Sequence, residues 1–286
     1  MQSSLKVLSE HACFGGAQRF YEHDSTVIGL PMRYSVYLPP QTKQAAVPAL
    51  LYLAGLTCNE ETFMIKAGAQ RIAAELGLAL ICPDTSPRGD APQSIAGAMA
   101  SWDFGIGAGF YLDATQSPWA QFWRMESYLI KELLPMVTST LPIDADRIGI
   151  FGHSMGGHGA LTLALKYPGK FKSLSAFAPI CAPTQCPWGE KAFTGYLGSD
   201  RSTWAAHDAS YLMQSRTTAP YPAGILIDQG LADKFLPEQL HPHLFEAACA
   251  SVSQPLTLRR HAGYDHGYYF ISTFMQVHLQ HHADRL

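Results

Sequence analysis

The sequence lacks any apolar run long enough to cross a bilayer. Its most apolar stretch, Val47 to Leu56, is far shorter than the ~20 residues a membrane helix needs. Met1 to Phe20 holds no continuous apolar core of signal-peptide type, so the expectation is a cytoplasmic protein with no membrane partner. Charge is also scarce. Asp, Glu, Lys and Arg make up 15% of the 286 residues against 47% hydrophobic, which implies much buried surface, a subunit interface included. No Lys/Arg cluster is long enough to track a phosphate backbone, which argues against nucleic acid. No C-x-x-C pair occurs, so neither a zinc knuckle nor a thioredoxin motif is indicated, and the six cysteines are expected reduced. H-E-x-x-H is absent too. His241-Pro-His243 and His281-His282 have no third ligand that spacing identifies, and no metal is expected. Gly105-Ile-Gly-Ala-Gly109 has the wrong spacing for a dinucleotide loop and follows no strand, so no cofactor is expected either.

What the sequence does contain is an alternation of strands and helices. No repeat or low-complexity tract divides residues 1–286, which read as a single domain with one insertion at about 181–222. Lys6 to Pro39 reads as short strands joined by turns, with Met32 to Leu38 half-buried. Ala49–Ala54, Leu78–Cys82, Arg147–Phe151, Leu174–Ala178 and Gly224–Asp228 read as buried strands. Between them, helical spacing predicts helices over Glu60–Leu76, ended by Gly77, and over Met155–Tyr167. Ser117-Pro118 predicts the start of a helix running to about Thr140. Further helices are predicted over Leu236–Ser251 and Tyr268–His282. This order implies right-handed βαβ crossovers and an α/β fold with a mainly parallel sheet, helices on both faces. Ser86–Gln116 and Cys181–Pro222 remain as long irregular segments, and loops of that length are usually functional.

The central chemical signal is Gly152-His153-Ser154-Met155-Gly156, a G-x-S-x-G pattern. A predicted strand leads into it and a predicted helix leads out, the context a nucleophile elbow requires. Flanking glycines remove Cβ atoms that would clash in so sharp a turn. The helix N-terminus points free N–H groups at the serine, where an oxyanion would form. A serine hydroxyl needs a base. In this arrangement the acid and then the base follow the serine in the chain. Asp233 lies just beyond the strand ending at Asp228, and His266 stands in the loop Gly263-Tyr-Asp-His-Gly267 after a predicted strand Leu256–Arg260. Asp228 is the rival acid, better placed to brace the site from below, and His261 is the rival base. For the oxyanion, the backbone N–H of Met155 is one expected donor; Leu56, in the loop after Ala49–Ala54, is chosen by position as the second.

These residues carry a family resemblance over nearly the whole chain. Leu53-Ala-Gly-Leu-Thr-Cys58, Gly107-Ala-Gly-Phe-Tyr-Leu-Asp-Ala-Thr115, Gly152-His-Ser-Met-Gly-Gly-His-Gly159, Cys186-Pro-Trp-Gly-Glu-Lys-Ala-Phe193, Asp228-Gln-Gly-Leu-Ala-Asp233 and Gly263-Tyr-Asp-His-Gly-Tyr-Tyr-Phe270 together resemble the S-formylglutathione hydrolases, or esterase D family, of the α/β-hydrolase superfamily. The resemblance implies a triad of Ser154, Asp233 and His266, and hydrolysis of the glutathione thioester to formate and glutathione in formaldehyde detoxification. It also implies side activity on small carboxylic esters, and a homodimer. Cys58, next to the expected oxyanion loop, is implied to line the site; the alternative is a buried small hydrophobe. Trp188, Phe193 and Trp204 are candidates for the acyl pocket wall or for ordinary core packing. Three rival readings remain: a general short-chain carboxylesterase, an acyltransferase on the same elbow, and a binding protein on a hydrolase fold.

Overall fold

The structure, a computed structural model, describes residues 5–286. Among the described residues nine strands form one sheet in the order β1-β2-β3-β5-β4-β6-β7-β8-β9. They run Lys6–Cys13 (β1), Gly16–Asp24 (β2), Pro31–Leu38 (β3), Val47–Leu53 (β4), Ala79–Pro83 (β5), Ile143–His153 (β6), Ser173–Phe177 (β7), Ile225–Gly230 (β8) and Leu256–His261 (β9). β1, β2, β3 and β5 pair antiparallel, while β5, β4, β6, β7, β8 and β9 pair parallel. This is the α/β-hydrolase arrangement, and its parallel strands are apolar runs for a physical reason. Every residue of β5, β7 and β8 is buried, so both faces are mainly apolar and the polar side chains among them are paired, as Ser173 and Ser175 are with His282.

The order of the strands locates the site. From β4 the chain moves to β5 on one side and then to β6 on the other. The loops leaving β4 and β6 therefore diverge, and a crevice opens between them at the carboxyl ends of the strands.

Four expectations about local structure are corrected. The helix over Glu60–Leu76 is two pieces, Thr62–Lys66 and Gln70–Leu76, parted where Gly68 turns left-handed at φ 66°. Gly77 does end the second piece, at φ 69°. Ser117-Pro118 starts no helix. A short turn at Trp119–Gln121 follows, and helical structure begins at Met125 and continues through one wider turn to Thr140. Trp119 and Trp123 instead pack edge to face at 4.9 Å beside Tyr196, and the Trp123 indole donates to the Gly105 carbonyl at 3.1 Å. The helix over Leu236–Ser251 breaks at His241, φ 45°, because Pro242 has no N–H to continue the ladder. Cys181–Pro222 is largely helical, with Pro187–Leu197, Arg201–His207 and Ala209–Gln214. Asp208 caps the last, accepting from the N–H groups of Ser210 and Tyr211 at 2.9 and 3.1 Å.

All six cysteines are free, and no described helix is long and apolar enough to cross a membrane.

Beneath β8 lies a buried charge. Asp228 is fully enclosed and takes a two-point contact from the Arg259 guanidinium, with the rings of His261 and His278 at 3.2 and 3.3 Å. Burial alone would raise its pKa, but His278 and Arg259 outweigh burial and hold the carboxyl well below the usual carboxylate range. A depressed folded-state pKa adds stability above the ordinary carboxylate value, about 4, and that stability is lost as pH falls below it. Asp228→Ala should therefore cost roughly 3–5 kcal/mol at neutral pH, because it strands a partly buried guanidinium. The deficit should shrink below about pH 4. Urea unfolding of both proteins at pH 7 and pH 3.5 measures this; equal stability at pH 7 contradicts it.

Candidate active site

The site begins with a strained residue. Ser154 stands between the end of β6 and the helix Met155–Lys166, at φ 57° and ψ −118°. Such a backbone costs about 1–3 kcal/mol in a non-glycine residue and persists only where its surroundings over-determine it. Here they do. The Ser154 N–H donates to the Phe177 carbonyl at 3.0 Å, and the Ser154 carbonyl accepts from the N–H groups of His158 and Ile180 at 2.9 and 3.2 Å. Close packing does the rest. A Cβ on Gly156 would lie 1.9 Å from the Leu53 carbonyl oxygen, and one on Gly152 would lie 2.2 Å from that of Gly156. Only hydrogen fits at either position, so helix, turn and β4 approach as closely as backbones can.

Across the crevice, the turn after β4 lies against the serine. A Cβ on Gly55 would be 3.3 Å from Ser154 Cβ. Thr57 in this turn is left-handed at φ 68°. The backbone N–H groups of Leu56 and Met155 have no acceptor among the described residues. Two unclaimed donors on either side of a serine are what an oxyanion requires.

The candidate acid and base, Asp233 and His266, lie in the loops after β8 and β9. Those loops are stitched together: Leu231 N–H donates to His261 O and Ala232 N–H to Tyr264 O, both at 2.9 Å. His266 Nδ1 is 2.5 Å from Asp233 Oδ2. Asp233 is buried, and it also accepts from the Phe235 N–H at 2.9 Å and the Gln229 side-chain amide at 3.2 Å. A carboxylate held at three points fixes the imidazole orientation and tautomer. Asp228 contacts neither Ser154 nor His266. His261 is directed toward Asp228 and stacks on Phe274 at 3.9 Å.

Ser154 and His266 line one cavity of about 320 Å³ with Leu56, Cys58, Trp102, Trp188, Phe235 and Tyr268. No hydrogen bond joins Ser154 to His266 in this arrangement; in substrate-free sites that bond often closes only when substrate is seated. Cys58 thus lines the cavity, and burial pushes its thiol pKa up, which keeps it neutral at pH 7 and a poor nucleophile. Trp188 lines it too, edge to face with Trp102 at 5.5 Å and 4.7 Å from Phe235. Phe193 and Trp204 do not. They pack on each other at 5.8 Å within the core, away from the cavity.

Sequence reasoning missed His153, whose ring centroid is 4.4 Å from that of His266. It is buried, and burial first, then the neighbouring His266, hold its pKa well below the ordinary value. It stays neutral beside His266. It also missed Trp102, Phe235 and Tyr268. Their positions depend on how separate loops fold over the sheet, which no local pattern encodes.

Gly156→Ala should remove nearly all hydrolytic activity and lower stability by about 1–3 kcal/mol or more, because the added methyl must displace the β4 backbone. Thermal melts with turnover measurements check this, and a fully active, equally stable variant contradicts it.

Comparison with known proteins agrees with this architecture. The putative esterase family model matches residues 25–281. The rat S-formylglutathione hydrolase is 52% identical over 283 residues, 99% of each chain. That of Paracoccus denitrificans is 47% identical over 286 residues, the whole of both chains. A solved S-formylglutathione hydrolase structure from Agrobacterium tumefaciens superposes with a TM-score of 0.94 at 47% identity, covering 98% of this chain and 99% of that one. With a serine elbow, a clamped His266–Asp233 pair and this degree of likeness, the chain belongs to the S-formylglutathione hydrolase family of esterases.

Proposed function

We propose that this protein is a cytoplasmic, homodimeric serine hydrolase of one catalytic domain that converts S-formylglutathione and water to formate and glutathione. The observation that carries the reading is that His266, held by buried Asp233, lines the same cavity as Ser154. Ser154 Oγ attacks the formyl carbon while His266 takes its proton. Asp233 holds the imidazole in the required tautomer and stabilises the imidazolium that forms. The N–H groups of Leu56 and Met155 take the negative charge of the tetrahedral oxygen. Collapse breaks the C–S bond, the leaving sulfur takes the proton held by His266, and glutathione departs, leaving formyl-Ser154 and a neutral imidazole. Water, deprotonated by His266, then attacks the same carbon, and formate leaves as Ser154 regains its proton. A thiolate leaves readily, so proton donation by His266 matters less for the thioester than for an oxygen ester.

A cavity of about 320 Å³ is at the small end for ligand sites. The rings of Trp188, Phe235 and Trp102 crowd the cavity, which suits formyl and acetyl groups. The same walls support a second reading, a general short-chain carboxylesterase. Steady-state rates on S-formylglutathione against p-nitrophenyl acetate separate the two; a large preference for the thioester in kcat/KM supports the first.

Ser154→Ala should lower kcat on the order of 10⁴-fold with the fold intact, since only the oxyanion site and binding remain to catalyse. Retention of a tenth of the activity would contradict the assignment of the nucleophile. Across p-nitrophenyl esters from acetate to octanoate, kcat/KM should fall steeply beyond about four carbons, because added methylenes meet fixed aromatic walls. A flat or rising series would contradict a small acyl site.

A further inference from the structure

The turn that carries the Leu56 N–H belongs to no ladder and has one long bond of its own, Cys58 N–H to Gly55 O at 3.3 Å, so most of its hold comes from elsewhere. One anchor is the Thr57 N–H, which donates to Gly107 O at 2.9 Å, while Gly107 N–H donates to Ser86 Oγ at 2.7 Å. The other anchor is the carbonyl of Cys58. It accepts from Arg88 Nη2 at 2.9 Å and from Thr85 Oγ1 at 2.5 Å. Arg88 is itself fixed: its Nε donates to Asp84 Oδ2 at 2.7 Å, and Asp84 Oδ1 accepts the Thr85 N–H at 2.6 Å. Asp84 is 3% exposed. Arg88 lines no part of the Ser154 cavity. It lines a second cavity of about 380 Å³, with Asp84, Ser86 and Arg33. Thr57 is held at φ 68°, so the turn stores strain and needs firm external contacts to keep one shape.

We propose that Arg88 is a positioning residue for catalysis: bridging buried Asp84 to the Cys58 carbonyl, it holds the Leu56 N–H where the oxyanion forms. The inference rests on the reading of Leu56 as an oxyanion donor. A guanidinium suits the task because its planar fork reaches two acceptors in fixed directions, which a lysine ammonium cannot reproduce. The donor acts on charge that exists only in the transition state, so loosening it lowers kcat and leaves substrate binding nearly unchanged. Complete loss of one such donor costs about 10²–10³-fold in kcat, and displacement costs less.

The test compares wild type, Arg88→Ala, Arg88→Lys and Thr85→Val on S-formylglutathione and p-nitrophenyl acetate, with circular dichroism and melting curves for each. Arg88→Ala should lose about 10–100-fold in kcat on both substrates with KM within about twofold, and Arg88→Lys should lose nearly as much. Added methylguanidinium, which the second cavity has room to admit, should restore activity several-fold to Arg88→Ala and not to wild type. A folded Arg88→Ala with near-normal kcat, a change confined to KM, or no response to methylguanidinium overturns the proposal. If Arg88→Ala does not fold, Thr85→Val decides, since it removes the other donor to the same carbonyl without stranding a charge. A several-fold fall in its kcat at constant KM supports the role, and an unchanged kcat overturns it. Absence of activity in the wild type on both substrates would overturn the hydrolase reading itself, and the role of Arg88 with it; active wild type with unaffected variants overturns the role of Arg88 alone.

Discussion

The site depends on one close approach, the backbone of Gly156 against the last carbonyl of β4. No side-chain atom fits between them. That contact brings the N-terminus of the Met155–Lys166 helix to the end of the sheet and forces Ser154 into its left-handed backbone. It also brings the turn after β4 against the serine, so the two unclaimed N–H groups stand on either side of it. The strain at Ser154 is offset by three backbone hydrogen bonds, which explains how an unfavourable conformation persists.

Around this contact the other groups are held by pairs of loops rather than by single elements. The loops after β8 and β9 are joined by two backbone hydrogen bonds, which set the distance between Asp233 and His266. The turn after β4 is joined to the segment after β5 through Gly107, Thr85 and Arg88. Tyr111, from the same segment, donates its hydroxyl to Ala54 O at 2.8 Å and packs against Gly159 of the elbow helix. The long glycine-bearing stretch after β5 is thus a clamp on the site. Its glycines and left-handed residues let it reach several separate backbones within a short span.

Two carboxylates end up near one another in sequence with different work. Asp228, inside β8, is enclosed by Arg259 and two imidazoles and stabilises the sheet edge. Asp233, past the strand end, takes two hydrogen bonds besides that of His266, which lines the cavity. Only four residues of chain separate a structural charge from one able to orient a base. The difference lies in whether the strand has ended.

The sequence by itself determined the fold class, because strands buried on both faces are mainly apolar runs and the runs alternate with helical spacing. It also determined the elbow, since G-x-S-x-G between a strand and a helix is a local pattern with a local steric cause, and it put Asp233 and His266 beyond strand ends. Local propensity misled at Ser117-Pro118, where tryptophan packing around Tyr196 prevails over a helix start, and in Cys181–Pro222, where caps such as Asp208 create helices from an aromatic-rich segment. Only the tertiary structure decided that Trp188 lines the cavity while Phe193 and Trp204 pack in the core, that His153 lies under His266, and that Arg88 grips the Cys58 carbonyl. Those relations join residues far apart in the chain, and their distances are set by how the loops close over a twisted sheet, which no short window of sequence contains.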